Sequence, residues 1–585
     1  MQTQCLIYIG TQRRRTSKPK ATDQPSPTKR LTGEMARLSS PYYRLHPQSF
    51  SDFSMFLRVL LLCATALKGY STNAADDKRP NILFCISDDQ SWMHAGAYGC
   101  SWVNTPGFDR VAKEGLLFAR AYTPNAKCAP SRACILTGRN TWQLEEACNH
   151  WPFFPTQFTS YVEVLAGNGY HVGSTGKGWA PGIANDSNGR PRQLTGKKYN
   201  SKTAQPPTKT ISRNDYASNF AEFLNDNDQE SPWCFWYGST EPHRRYEYGT
   251  GVSVGGKSLD DIDQVPPFWP DNDIIRNDML DYALEIEHFD HHLVRMLATL
   301  EERDQLQNTL VIVTADNGMP FPRVKGQEYE MSNHLPLAIM WPQKIASPGR
   351  TISSFVSFID YAPTIIEAAG LHWNDTGMAS TPGKSLLPVL TSNQHDSPAA
   401  EKQPAHRNFV VFGKERHDIG RPHDQGYPVR GIVRDGWLYV KNYETSRWPA
   451  GNPETGYLNC DGSPTKTEIL NMRRNGPDTA GYWKMSFGKR HAEEMYFVED
   501  DPYCMQNFAD SPMFALEKEK LTRQLQATLT AEKDPRTLGE SGYFEQFPYA
   551  DKKGYGFYEK FAAGQQVRAG WVNESDFETT PIKKE

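Results

Sequence analysis

The chain has no marked excess of either charge, little cysteine for its length, and no apolar run long enough to cross a bilayer. Lysine and arginine number 64 against 68 aspartates and glutamates, a formal net charge of −4. So even a balance gives no reason to expect nucleic acid or another polyanionic surface as partner, and any anion has to be held locally. Ten cysteines in 585 residues are too few for a disulfide-stapled scaffold, which leaves room only for isolated pairs such as Cys460 with Cys504 in an oxidising compartment. Without a spanning stretch, no stable membrane association is expected. What the chain does have is length. At 585 residues it exceeds one ordinary core, so at least two domains are expected.

The N-terminus reads as two joined pieces. Residues 1–54 carry nine Lys or Arg against Asp23, Glu34 and Asp52, with scattered Pro and Ser and no apolar periodicity, the pattern of a disordered or mis-annotated extension. From Met55 the sequence "MFLRVLLLCATALKGYSTNAADD" sets Arg58 before an apolar run, Val59 to Leu67, and then small residues around Ala74 and Ala75. That is the shape of a secretory signal peptide over 55–75, with translation starting at Met55 and an exported, periplasmic or secreted product.

From residue 80 the pattern alternates between strand and helix. "NILFCIS" (81–87), "YHVGST" (170–175), "WCFWYGS" (233–239) and "TLVIVTA" (309–315) are short apolar runs suited to strands buried on both faces. Between the last two, Tyr282, Ile286, Phe289, Leu293, Met296 and Leu300 recur at spacings of three and four, the stripe of a long helix. The expectation is an α/β fold with a large, mostly parallel sheet sandwiched by helices over 79–395. A smaller C-terminal α+β domain over 405–540 would follow a polar linker. Its "RGIVRDGWLYVKNYE" (430–444) predicts an antiparallel hairpin turning at Asp-Gly, residues 513–533 predict an amphipathic helix, and 541–585 remain as a tail.

Each of the four strands runs into polar residues: Asp88 and Asp89, Gly176 and Lys177, Glu241 and His243, Asp316 and Asn317. A single strand-end Asp is most often a cap, but capping does not call for Lys and His as well, and ligands in open α/β sheets bind beyond the carboxyl ends of strands. Asp88, Asp89, Asp316 and Asn317 offer only oxygen, which suits Ca²⁺ or Mg²⁺ rather than zinc. Lys177, Lys325, Arg132 and His243 add the positive charge that a transferring sulfuryl or phosphoryl group needs. "NAKCAPSRACILTGR" (125–139) leaves open whether Cys128 is a packed thiol, half a disulfide or a seat of chemistry; Cys85 and Cys134 read as small core hydrophobes.

"CAPSRACILTGR" resembles the signature of the formylglycine-dependent sulfatases, and "RPNILFCISDDQ", "NTPGFDRVAKEGLLFARAYT", "TGKGW", "TADNG" and "MYFVEDDPYCMQNFADSP" extend the likeness over about 79–535. "ADNGMPFP", "EPHRR", "VFGKERHD" and "GYPVRG" look most like the heparan N-sulfatase branch, which acts on N-sulfated glucosamine. The resemblance implies an alkaline phosphatase-like layout and Ca²⁺, with Mg²⁺ second. It implies that a separate formylglycine-generating maturation enzyme converts Cys128, whose hydrate attacks sulfur and later expels sulfate. Metal ligands would be Asp88, Asp89, Cys128, Asp316 and Asn317. Arg132 would steady the hydrate, Lys177 and Lys325 would contact sulfate, and His243 would protonate the leaving group of a sulfated sugar. Pro130 and Ser131 belong to the motif that the maturation enzyme reads.

One position departs from the pattern. The family usually carries Gly-Lys-x-His, whereas this chain has Gly176, Lys177, Gly178 and Trp179, and an indole offers a donor but no base. His150, His334 and His417 are the candidate replacements, and His334 stands where many relatives carry Arg. Three rival readings stay open: an O-sulfatase on another polysaccharide, a phosphate or phosphonate monoester hydrolase of the same superfamily, and a non-catalytic sulfated-glycan binder. Three Asn-x-Ser/Thr sequons (Asn185, Asn374, Asn573) would bear glycans only in a eukaryotic secretory host.

Overall fold

Alternate side chains of a strand point to opposite faces, so a run of uninterrupted apolar residues demands cover on both sides. In the structure, a computed structural model that describes residues 78–227, 231–392, 406–580 and 582, the first such run meets that demand. Strand β1 (Asn81–Ser87) sends Ile82, Phe84 and Ile86 into one core and Leu83 and Cys85 into another. The extension 1–54, the leader expected at 55–75 and the linker residues 393–405 lie outside the described residues. From Asp77 onward the chain forms one compact unit.

The large sheet comprises β1, β2 (Leu116–Phe118), β3 (His171–Gly176), β4 (Lys197–Lys198), β5 (Trp233–Gly238), β6 (Thr309–Ala315), β7 (Leu337–Met340) and β8 (Arg350–Ile352). Their order is β8-β2-β7-β6-β1-β5-β3-β4. Pairings within β6-β1-β5-β3-β4 are all parallel, and β7 runs antiparallel to both neighbours. The four strands expected from sequence are therefore the contiguous centre of the sheet, and their carboxyl ends open on the same edge.

Helices cover both faces. On one, α1 (Pro106–Glu114), α3 (Tyr216–Asn225) and the 30-residue α4 (Asp273–Glu302) bury Phe108, Val111, Phe220, Phe223, Phe289 and Leu293. The periodic stripe of α4 is buried along its length, from Ile275 to Leu300. On the other face lies α2 (Cys128–Thr137), with all ten residues buried.

A separate four-stranded antiparallel sheet holds β9 (Phe409–Lys414), β10 (Val429–Arg434), β11 (Trp437–Asn442) and β12 (Glu493–Phe497) in chain order. The Asp-Gly hairpin forms as its sequence predicts: Asp435 and Gly436 sit at φ +50° and +77°, the two left-handed residues of a type I′ turn. One face packs Val411, Ile432, Tyr439 and Met495 on Leu521, Leu525 and Leu529 of α5 (Ala515–Ala531). The chain then continues past α5, and Tyr549, Phe557 and Val572 pack with Ile419 and Leu458. Cys460 and Cys504 are both free and lie in different hydrophobic clusters, so that pairing does not form.

Candidate active site

Asp88, Lys177 and Asp316 each follow the last residue of a strand in the parallel centre of the sheet, so they emerge on the same edge. Local backbone finishes the placement. Gly176 turns at φ +71°, and a Cβ on it would lie 2.1 Å from the Gly238 carbonyl, so only glycine lets β3 end there and hand Lys177 to the site. Asp89 is held at φ +76°, a conformation aspartate tolerates better than most residues, and its N–H donates to Asp316 Oδ1 at 3.0 Å.

Cys128 opens α2. Pro130 sits in the first turn, where its missing N–H costs no intrahelical bond, and Gly138 closes the helix in the left-handed region. Cys128 Sγ thereby lies 3.4 Å from Asp88 Oδ1 and 3.8 Å from Asp89 Oδ1. One turn on, Arg132 donates from Nε to Asp316 Oδ2 at 2.8 Å and from Nη1 to the Lys177 and Gly178 carbonyls, while Nη2 stands 3.6 Å from Asp88.

Two lysines neutralise the acids from opposite partners. Lys177 Nζ meets Asp88 Oδ2 at 2.6 Å. Lys325 Nζ meets Asp89 Oδ2 and Asp461 Oδ2, both at 2.6 Å, and His243 Nε2 at 2.9 Å. His243 Nδ1 lies 2.7 Å from the Arg244 carbonyl, which can only accept, so the proton sits on Nδ1 and Nε2 receives the Lys325 N–H. All five metal-ligand candidates and all five catalytic candidates from the sequence come together in this cluster. Glu241 does not join them: it accepts from Tyr216, Ser239 and the Ser212 N–H as a buried brace.

The charges shift one another. Burial and the Asp89 charge raise Asp88, but the neighbouring cations, Lys177 foremost, outweigh them, and the carboxyl titrates below its ordinary value. Burial and the Asp88 charge leave Asp316 above its ordinary value. Burial, then Asp88, pushes the Cys128 thiol far up. For Lys325, burial is overcome by Asp461 and Asp89, so its ammonium is held charged.

Asp88, Asp89, Asp316 and Cys128 are all buried and bring their ligand atoms within 4.8 Å of one another. Each of these carboxylates already pairs with Lys177, Lys325 or Arg132, so the case for a further cation rests on the donor atoms they leave facing one another. Asn317 donates its amide N–H to Asp89 Oδ1 and the Gly318 carbonyl, leaving Oδ1 buried with no partner among the described residues. An all-oxygen set with one unclaimed acceptor fits a hard divalent cation such as Ca²⁺.

A cavity of about 260 Å³ opens onto this cluster, lined by Cys128, Lys177, His243, Lys325 and Asp461 and by His150, His417, Trp151 and Trp571, among others. Trp179 donates its indole N–H to the Ala129 carbonyl at 3.0 Å and packs edge-on to Phe154, bracing the start of α2 from behind. Of the three candidate replacement histidines, His150 and His417 line the cavity. His334 does not: it is stacked between Trp92 and Tyr122 and bonded to Glu330. Burial, then Lys127, lowers His150 far below an ordinary histidine; burial, then Lys414, does the same to His417. His417 Nε2 donates to Asn125 Oδ1 at 2.7 Å, and its Nδ1 is buried. Asp461 went unnoticed in the sequence because "NCDG" reads as an ordinary turn; only its contact with Lys325 reveals it.

The family model described as Sulfatase matches residues 80–371. The human N-sulphoglucosamine sulphohydrolase is 27% identical over 500 residues, covering 80% of this chain and 93% of that protein. An ulvan-active sulfatase from Formosa agariphila is 24% identical over 505 residues, covering 79% and 77%. Among solved structures, BT4656 in complex with its substrate D-glucosamine-2-N,6-O-disulfate superposes with a TM-score of 0.54 at 20% identity, over 78% of this chain and 99% of that one. A 2-O glycosaminoglycan sulfatase, BT1596, superposes at 0.53 and 17% identity over 78% and 94%, and both likenesses speak for the fold. With the strand-end cluster and Cys128 inside the matched region, the chain belongs to the sulfatase family and is a hydrolase of sulfate esters or sulfamates.

Proposed function

We propose that this sulfatase is an exported, periplasmic or secreted enzyme that releases sulfate from a sulfated sugar, with N-sulfoglucosamine the first candidate. It would act through formylglycine formed from Cys128 by a maturation enzyme, and through Ca²⁺ on Asp88, Asp89, Asp316 and Asn317. The observation that carries the reading is the convergence of these oxygens, Cys128 and the Lys177 and Lys325 ammonium groups at one cavity. The N-sulfated sugar is favoured by the match to the human N-sulphoglucosamine sulphohydrolase, which spans 93% of that protein.

The bound cation would polarise a sulfate oxygen as a Lewis acid, and the modified Cys128 would supply the attacking oxygen. Everything else falls to the chain itself. Arg132, with its Nε and Nη1 committed to Asp316 and to two carbonyls, is fixed as a positive wall behind that oxygen. Lys177 has a single side-chain partner among the described residues, so two of its three N–H donors remain for sulfate. Lys325 spends its donors on Asp89, Asp461 and His243 and so orients the His243 ring through Nε2; a second proton taken up at Nε2, displacing that hydrogen bond, would make His243 the imidazolium that protonates the departing sugar oxygen or nitrogen. His150 and His417, neutral and facing the cavity, are the imidazoles that take over where Trp179 stands.

Sulfate release from a panel of N-sulfated and O-sulfated sugars tests the reading, with peptide mass spectrometry at Cys128 alongside. Release from N-sulfoglucosamine is expected. Release from O-sulfated sugars alone removes the N-sulfatase assignment, and dominant turnover of phosphate esters overturns the substrate class.

A further inference from the structure

We propose that the C-terminal segment completes the active site: Trp571, opposite in chemistry to the charged cluster and working with Trp151, is a platform for the carbon face of the sugar ring that carries the sulfate. The inference rests on the sulfatase reading. Trp571 lies more than 25 residues beyond α5, yet it lines the cavity that holds Cys128 and Lys177. It is fixed there on both its polar ends. The indole N–H donates to the Leu458 carbonyl at 2.8 Å, and the backbone carbonyl accepts the Gly462 N–H at 2.6 Å. Arg245, two residues from His243, donates to the carbonyl of Gly570 at 3.1 Å. With the N–H satisfied internally, what Trp571 has left to offer the cavity is carbon.

Trp151 shows the same commitment from another direction. It is held at φ +54°, a region that a bulky aromatic residue rarely occupies and that persists only where surrounding structure enforces it. The C-terminal segment supplies that enforcement: Ala550 donates its N–H to the Trp151 carbonyl at 2.8 Å, and the Tyr549 ring lies 6.2 Å from the Trp151 ring. The C-terminal segment therefore carries one indole of the cavity and holds the other in place. Lys177 and His243 account for a sulfate, but they leave the remainder of the ligand, a ring with C–H faces, without a partner; aromatic faces are suited to that surface. At about 260 Å³ the cavity falls below the ~300–1,000 Å³ common for drug-sized ligands, which favours one sugar ring as its occupant.

The test separates ring binding from anion binding. Steady-state kinetics are run on N-sulfoglucosamine, or on the O-sulfated sugar of the panel that the wild type cleaves, and inorganic sulfate is titrated as a competitive inhibitor. Trp571→Ala is expected to raise KM about tenfold with kcat nearly unchanged, to leave the sulfate inhibition constant unchanged, and to be largely restored by Trp571→Phe. An unchanged KM overturns the platform. So does an equal loss of sugar and sulfate affinity that Trp571→Phe fails to rescue, because that marks a collapsed site. Absence of sulfate release by the wild type from every sugar overturns the sulfatase reading itself, a result distinct from either.

Discussion

The charged end of the pocket and its aromatic end are built by different means. Asp88, Lys177 and Asp316 stand one residue beyond strands β1, β3 and β6 of the parallel centre of the sheet, with β5 between β1 and β3, so the hydrogen-bonded register of the sheet fixes their spacing. Trp151 and Trp571 stand on irregular backbone, more than 400 residues apart in sequence, and are fixed by a few hydrogen bonds to loops. The first arrangement suits chemistry, where a misplacement of an ångström is costly, and the second suits ring recognition, where sequence variation changes the sugar without disturbing the reaction.

Substitutions at the charged end should therefore act on turnover, and the largest effect belongs to Cys128. Cys128→Ala is expected to lower sulfate release by at least ~10⁴-fold with an unaltered circular dichroism spectrum, since it removes the proposed nucleophile and no framework contact. His243→Ala comes next: a loss of ~10²–10⁴-fold in kcat, with a smaller change in KM, as measured by initial rates. A comparable rise in KM with kcat preserved would move His243 from the charged end to the binding end of the comparison.

Chelation tests whether the proposed cation holds the charged end. Chelation should lower the melting temperature and Ca²⁺ should restore it, because binding to the folded state alone stabilises by roughly 2.7 kcal/mol at a hundredfold excess over Kd. Asp88→Asn should abolish that response to Ca²⁺ in differential scanning fluorimetry. A melting temperature indifferent to both chelator and Ca²⁺ would count against a metal centre.

The smallest effect lies outside the pocket. Asp290 in α4 accepts the Gly107 and Phe108 N–H groups, both at 2.7 Å, at the start of α1, and burial raises its pKa to about 7. In the unfolded chain it titrates near ~3.9, so between about pH 4 and pH 7 the folded state holds the extra proton and this group's stabilisation is lost as pH rises. Asp290→Asn should lower the melting temperature at pH 5, because one of the two N–H acceptors is lost. The deficit should shrink towards pH 8 by an amount on the order of 1–3 kcal/mol. A deficit that is constant with pH would mean that Asp290 is ionised throughout.

The strand-end residues were legible because parallel α/β sheets place strand carboxyl ends on one edge, so "SDD", "TGK" and "ADN" after apolar runs point to a common site without any tertiary information. The long helix α4 was equally plain, since a 3.6-residue stripe needs only one core to face. The Asp-Gly hairpin was legible because left-handed backbone at two successive residues narrows the choice of amino acid. Asp461 and Trp571 were not. A carboxylate in a turn and an indole near a chain end carry no periodicity, and nothing local says that Lys325 or the cavity is beside them. The same limit applied to the histidines: His150 and His417 reach the cavity, while His334, as well placed by sequence, is consumed in a stack with Trp92 and Tyr122.

By itself, then, the sequence determined the α/β class, the central strands, the cysteine signature and the oxygen donors, because each of these is written in near-neighbour pattern and in the chemistry of residue types. Only the tertiary structure decided that Trp179 braces α2 instead of facing the pocket, that Asp461 clamps Lys325, and that the C-terminal segment closes the aromatic wall. Those outcomes depend on contacts between residues tens to hundreds of positions apart, which are set by packing of the whole chain and leave no local trace.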